Sequence, residues 1–111
     1  MDFREIEQKV IDFRNERNWN QFHQIKDLLL GLTIEVAELQ ELFLWKTEEQ
    51  QTEIDKEKIK DELADIAIFL IYLCRQYNID LPEAISEKLD KNEKKYPVDK
   101  SKNSNKKYTE L

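Results

Sequence analysis

The sequence predicts an all-α protein on three observations. Glycine occurs once and proline twice in 111 residues, Glu, Lys, Leu and Ile dominate, and apolar residues recur at three- and four-residue spacing. A chain of this length with 40% apolar residues is sized for one domain with a modest core. The expected arrangement is a bundle of four helices.

Phe3, Ile6, Val10, Ile11 and Phe13 carry the amphipathic spacing of a first helix, from Phe3 to about Arg17. Asn, Gln and His interleave with Trp19 and Phe22 in the next stretch, which predicts an ordered loop from Asn18 to Lys26. Asp27 is placed to cap a second helix, about Leu28 to Trp45, with Leu28, Leu32, Leu39 and Leu42 on one face and Glu35, Glu38 and Glu41 on another. The polar, acidic run from Lys46 to about Lys56 predicts an exposed, loose connection.

A third helix, about Lys58 to Tyr77, is apolar around almost its whole circumference between Leu63 and Leu73, so it must be buried on several sides. A four-helix monomer of this size leaves one of those faces wet. The third helix is therefore expected at a subunit interface of a homo-oligomer, a dimer that can pair into a tetramer as a dimer of dimers. Pro82 in a first turn, with Glu83 behind it, opens a fourth helix to about Lys95, and Pro97 stops it. Residues 1–97 form the expected domain, and the Lys-, Asn- and Ser-rich residues 98–111 a flexible basic tail.

Charge is segregated along the chain. The net charge is −6, yet Lys88 to Lys107 holds eight lysines against Asp90, Glu93 and Asp99. An acidic chain is a poor binder of nucleic-acid polymers, whereas an acidic centre with a basic end suits a cation and a small polyanion. The charged opening residues are no secretory signal, the longest apolar run is too short to span a bilayer, and a single cysteine, Cys74, excludes an internal disulfide. A cytoplasmic protein with no membrane partner is expected.

The carboxylates carry the chemistry. Glu35 and Glu38 on the second helix are three residues apart, roughly 60° around it, and Glu62 and Asp65 repeat the spacing on the third. Each pair lies among apolar neighbours: Ile34, Val36, Ala37 and Leu39, and Leu63, Ala64, Ile66 and Ala67. Carboxylates facing an apolar bundle interior are costly unless protons, basic groups or a metal neutralise them. Hard oxygen donors at this spacing suit Mg²⁺, or Mn²⁺, better than zinc. A di-iron carboxylate site needs Glu-x-x-His elements, and the chain has only His23.

The E-x-x-E then E-x-x-D pattern resembles the all-α nucleoside triphosphate pyrophosphohydrolase superfamily, in its MazG-like and dCTP pyrophosphatase branch. The resemblance extends over Arg17 to His23, Leu28 to Leu30, Glu35 to Trp45, Glu62 to Ile66 with Tyr72, and Lys88 to Asn92 with Tyr96 and Pro97. It implies a four-helix MazG-like bundle that hydrolyses the α–β phosphate bond of a nucleoside triphosphate to a monophosphate and pyrophosphate, with dCTP-like pyrimidine deoxynucleotides favoured. It further implies Glu35, Glu38, Glu62 and Asp65 as metal ligands and catalytic residues, with Glu38 the choice for a base acting on water. Trp19, Trp45 and Tyr72 would lie around base and sugar, His23 would help bind the nucleotide, and Lys88, Asn92 and Tyr96 would contact phosphates or close the pocket. Two departures stand out: Ile25 and Asp27 where the branch often has proline and asparagine, and Glu93 where some relatives have arginine. The alternatives are a non-catalytic helical interaction module whose third helix simply dimerises, and a protein that binds nucleotides without cleaving them.

Overall fold

Aspartates start three of the four long helices in this structure, a computed structural model describing residues 1–111. Asp2 accepts from the Glu5 backbone N–H at 2.9 Å to open α1 (Phe3–Glu16), Asp55 accepts from Glu57 at 3.0 Å to open α4 (Lys56–Gln76), and Asp80 accepts from Glu83 at 3.2 Å to open α5 (Leu81–Lys95). Each carboxylate satisfies an orphan donor and faces the positive end of the helix. The other elements are a 3₁₀ turn (Trp19–Phe22), α2 (Ile25–Glu41), the short α3 (Glu48–Gln51) and α6 (Val98–Ser101), and a closing 3₁₀ turn (Tyr108–Glu110). No strand is present, so the all-α class predicted from sequence is observed.

Three boundaries differ from expectation. α2 begins at Ile25, three residues before Leu28, because Gln24 takes the extended cap conformation and its carbonyl accepts from both Asp27 and Leu28 at 3.0 Å. Asp27 is thus a first-turn residue, favourable to the helix dipole, and not the cap. At the other end the helix stops at Glu41 instead of Trp45: Leu42, Phe43 and Leu44 bond to carbonyls three residues back, which tightens the chain into turns. Within the predicted loose connection, Thr47 and Gln50 form a reciprocal capping box that starts α3.

The chain divides into two units, Met1–Asn78 and Ile79–Leu111. In the first, α2 packs along α4 and α1 rests on α4. Its core is small: Ile11 from α1, Leu28 from α2, and Ile71 and Tyr72 from α4 are buried, with Val10, Ile68, Phe69 and Leu73 packed against them. Leu28 is the only side chain of this group that is 1% exposed, so truncation there leaves a void with nowhere to collapse. Leu28→Ala is expected to cost about 3 kcal/mol, read as a lowered urea midpoint with an unchanged slope. Gly31, mid-helix in α2, costs about 1 kcal/mol relative to alanine, a cost that needs a reason.

Apolar side chains on these helices stay exposed in the single chain. Leu29, Leu30, Ile34 and Val36 of α2 and Leu63 and Leu70 of α4 are all more than a third exposed. In the second unit, α5 carries Lys88 and Asn92 one turn apart beside Ala84, Ile85 and Leu89, around a shallow hollow. Tyr96 ends α5 and meets Tyr108 edge to face at 5.9 Å, with the Lys95 ammonium 4.8 Å from the Tyr108 ring. No helix is long and apolar enough to cross a membrane.

Candidate functional site

Because α2 and α4 lie side by side, the two acidic pairs meet. Single carboxylate oxygens of Glu35, Glu62 and Asp65 lie within 4.8 Å of one another, a spacing at which one cation can take all three. Glu38 is more exposed than the other three, but its carboxyl is close enough to Glu35 and Glu62 to exchange a hydrogen bond when one of them is protonated. With all groups ionised, Glu35 Oε2 and Glu62 Oε2 are buried with no donor at all.

That deficit appears as proton affinity. Burial, then the proton shared with Glu38 and the charges of Asp65 and Glu38, push the Glu35 carboxyl up to about 7. Glu62 is also raised, by desolvation first, although a hydrogen bond from Glu35 acts in the opposite direction. Glu35 and Glu62 are thus both biased toward the protonated form and close enough to share one proton. A proton is a poor substitute for a divalent cation here, since it satisfies one oxygen and leaves its neighbours charged. The donor set is oxygen only, and it fits a hard cation.

Asp65 also borders a cavity of about 530 Å³ on the α1 side of α4. Trp19 and His23 from the loop, Val10 and Phe13 from α1, and Ile68, Phe69 and Tyr72 from α4 line it. Its wall is ordered by ring contacts: Phe13 meets Trp19 edge to face at 5.7 Å, and the Arg17 guanidinium sits 3.7 Å from the Phe13 ring centre. His23 lies 4.6 Å from Tyr72, and its backbone carbonyl accepts from the Gln76 side chain, which ties the loop to the end of α4. Burial and the nearby Arg14 lower the His23 pKa, so the ring is neutral near pH 7. Its Nδ1 is buried without a partner.

Trp19, His23 and Tyr72 are thus brought to one cavity that reaches Asp65, though Tyr72 is only 5% exposed and serves chiefly as its floor. Trp45 is elsewhere. It follows the turns after α2 at φ 62°, 91% exposed, and does not line the cavity. A left-handed backbone costs a bulky residue about 1 kcal/mol or more, and such strain collects at functional positions. Trp45→Gly is expected to raise the melting temperature by a few degrees, about 1 kcal/mol at most. Lys88, Asn92 and Tyr96 belong to the second unit.

The residues that sequence spacing did not single out are Phe13, Phe69 and Arg14. Phe69 is one helical turn beyond Asp65, so it shares the face of an acid already recognised. Arg14, 9% exposed, hides behind Tyr72 with its guanidinium 5.6 Å from the ring centre, and no pattern in sequence marks a buried cation.

Comparison with known proteins gives the family. The chain is 41% identical to human dCTP pyrophosphatase 1 and 44% identical to that of Mus musculus, over 105 residues that cover 90% of this chain and 62% of each relative. It therefore spans less than two thirds of the length of those proteins. A solved pyrophosphatase from Archaeoglobus fulgidus DSM 4304 superposes with a TM-score of 0.79 at 37% identity, covering 85% of this chain and 91% of that one. The MazG-like family profile matches residues 30–111, which include Glu35, Glu38, Glu62 and Asp65, and the chain belongs to the MazG-like family.

Proposed function

We propose that the protein is a Mg²⁺-dependent nucleoside triphosphate pyrophosphohydrolase, cleaving the α–β bond of a dCTP-like pyrimidine deoxynucleotide to the monophosphate and pyrophosphate. The observation that supports this best is the acid cluster itself: Glu35 and Glu62 oxygens buried without donors, within 4.8 Å of Asp65, at the edge of an aromatic cavity. The names of the mammalian and archaeal relatives point the same way.

Glu35, Glu62 and Asp65, with Glu38 beside them, would hold the cation. When bound, Mg²⁺ supplies charge neutralisation of the triphosphate and polarisation at phosphorus. The chain's own residues do the rest. Glu38, the most exposed of the four, would be the base that accepts a proton from an attacking water. Trp19 and the rings around it offer flat apolar faces to a base, and His23, neutral and lining the cavity, would pair with a polar group on base or sugar. Burying the nucleoside fixes the position of the phosphates relative to the acids, and positioning carries much of phosphoryl-transfer catalysis. On the sequence resemblance alone, Lys88, Asn92 and Tyr96 take the phosphate side and Trp45 the nucleoside side.

The exposed leucines of α2 and α4 support a homo-oligomer, a dimer that can pair into a tetramer, in which α4 is covered by a second subunit and Trp45 is free to meet a neighbour. In this proposal residues 1–97 are the catalytic domain and the setting is cytoplasmic; residues 98–111, expected from sequence as a flexible tail, are instead a basic extension that holds α6 and packs Tyr108 on Tyr96. The test is to incubate the purified protein with each nucleoside triphosphate and Mg²⁺ and to separate the products. Pyrophosphate and a nucleoside monophosphate in equal amounts are expected. Orthophosphate without pyrophosphate, or turnover indifferent to chelation of Mg²⁺, sinks the proposal.

A further inference from the structure

We infer that Gly31 sets the room available in the nucleoside cavity by seating the ring of Phe69, an inference that rests on the cavity being a nucleotide site. A Cβ placed on Gly31 would lie 2.4 Å from Phe69 Cε1 and 2.6 Å from Cζ, far inside contact distance. The ring tip therefore occupies the space a side chain would have filled. The ring also meets Tyr72 edge to face at 6.0 Å, and Tyr72 is itself fixed by burial, by His23 and by Arg14. Held between α2 and Tyr72, Phe69 forms cavity wall rather than cavity contents.

Gly31 lies one turn before Glu35, and Phe69 one turn after Asp65, so this contact is the level next to the acid cluster. An added methyl has two ways to be accommodated. Either the helices separate, which would pull Glu35 from Asp65 and open the packing around Leu28, or the Phe69 ring swings about its side-chain torsions. The clash is with the far end of a side chain, and close-packed helix backbones resist separation, so the ring moves. Tyr72 blocks one direction, and the cavity is the open one.

The inference is tested with Gly31→Ala. KM for the best triphosphate is expected to rise about tenfold or more, and further for a purine than for a pyrimidine, while kcat and the half-saturating Mg²⁺ concentration stay within about twofold. Adding Phe69→Leu to Gly31→Ala is expected to recover most of the loss, because the displaced ring is gone. A crystal structure of Gly31→Ala should show the Phe69 ring turned into the cavity and the α2–α4 spacing kept. An unchanged KM, or an unmoved ring with the helices apart and Mg²⁺ affinity lost, overturns the inference. Absence of turnover in the wild-type protein defeats the proposed function instead, and the ring position in the crystal still decides whether Gly31 seats Phe69.

Discussion

If the proposed activity holds, Asp65→Ala is expected to lower the rate of pyrophosphate release by at least about 10²- to 10³-fold, with helicity by circular dichroism unchanged. The size follows from where Asp65 stands: it is both a corner of the acid triad and a border of the cavity. Removing it takes away one ligand and the charge that helps keep the Glu35 carboxyl protonated. The metal-free variant should melt no lower than the wild type, since one of several crowded negative charges is gone. What it should lose is the rise in melting temperature on adding Mg²⁺. A variant that keeps that rise and loses only activity would place the cation on Glu35, Glu38 and Glu62 instead.

Metal-free protein is expected to become less stable as pH rises toward neutrality, with Mg²⁺, if it is the cation of the acid cluster, restoring it most strongly on the alkaline side. The sign comes from Glu35, whose carboxyl is raised from 4.5 to about 7 in the folded chain. Below pH 4.5 folded and unfolded chains are both protonated at this group; between there and 7 the folded chain holds a proton that the unfolded chain has released. Its stabilising contribution is therefore full at acid pH, declines across that window, and is gone above 7. The cation competes with the proton for the same oxygens, so its apparent affinity climbs as the proton leaves. At a hundred times its dissociation constant Mg²⁺ adds about 2.7 kcal/mol, a melting shift on the order of 10 °C in a domain of this size. Thermal melts at pH 6 and pH 8, with and without Mg²⁺, measure it. A shift of equal size at both pH values, or none, contradicts the assignment.

The elements were legible because each depends on short-range chemistry. The apolar spacing of α1, α2 and α4 states which faces meet and Pro82 marks the first turn of α5, whereas the caps Asp2, Asp55 and Asp80 emerge only in the structure. The acid cluster was legible for the same reason, since two pairs at helical spacing among apolar residues have few places to go other than toward each other. What sequence hid was the outcome of competition. Asp27 is a good cap, but Gln24 adopted the cap backbone first and made it a first-turn residue. Trp45 fitted the continuation of α2, yet the ladder had already tightened at Leu42. The cavity was harder still, because its wall is apolar and Val10, Phe13 and Phe69 look in sequence like ordinary core.

Helix ends in this chain are turned by asparagine. Asn18 after α1, Asn78 after α4 and Asn103 after α6 all take the left-handed conformation that elsewhere falls to glycine. The difference is felt in the unfolded chain, not the folded one. Glycine at a compatible site widens the denatured ensemble by about 0.4–1 kcal/mol relative to a residue with a side chain. Three such sites without glycine narrow that ensemble by an amount comparable to burying about two to four methylene groups. A core with so few fully enclosed side chains gains from that restriction, and part of this protein's stability resides in a disordered state that begins with less freedom to lose.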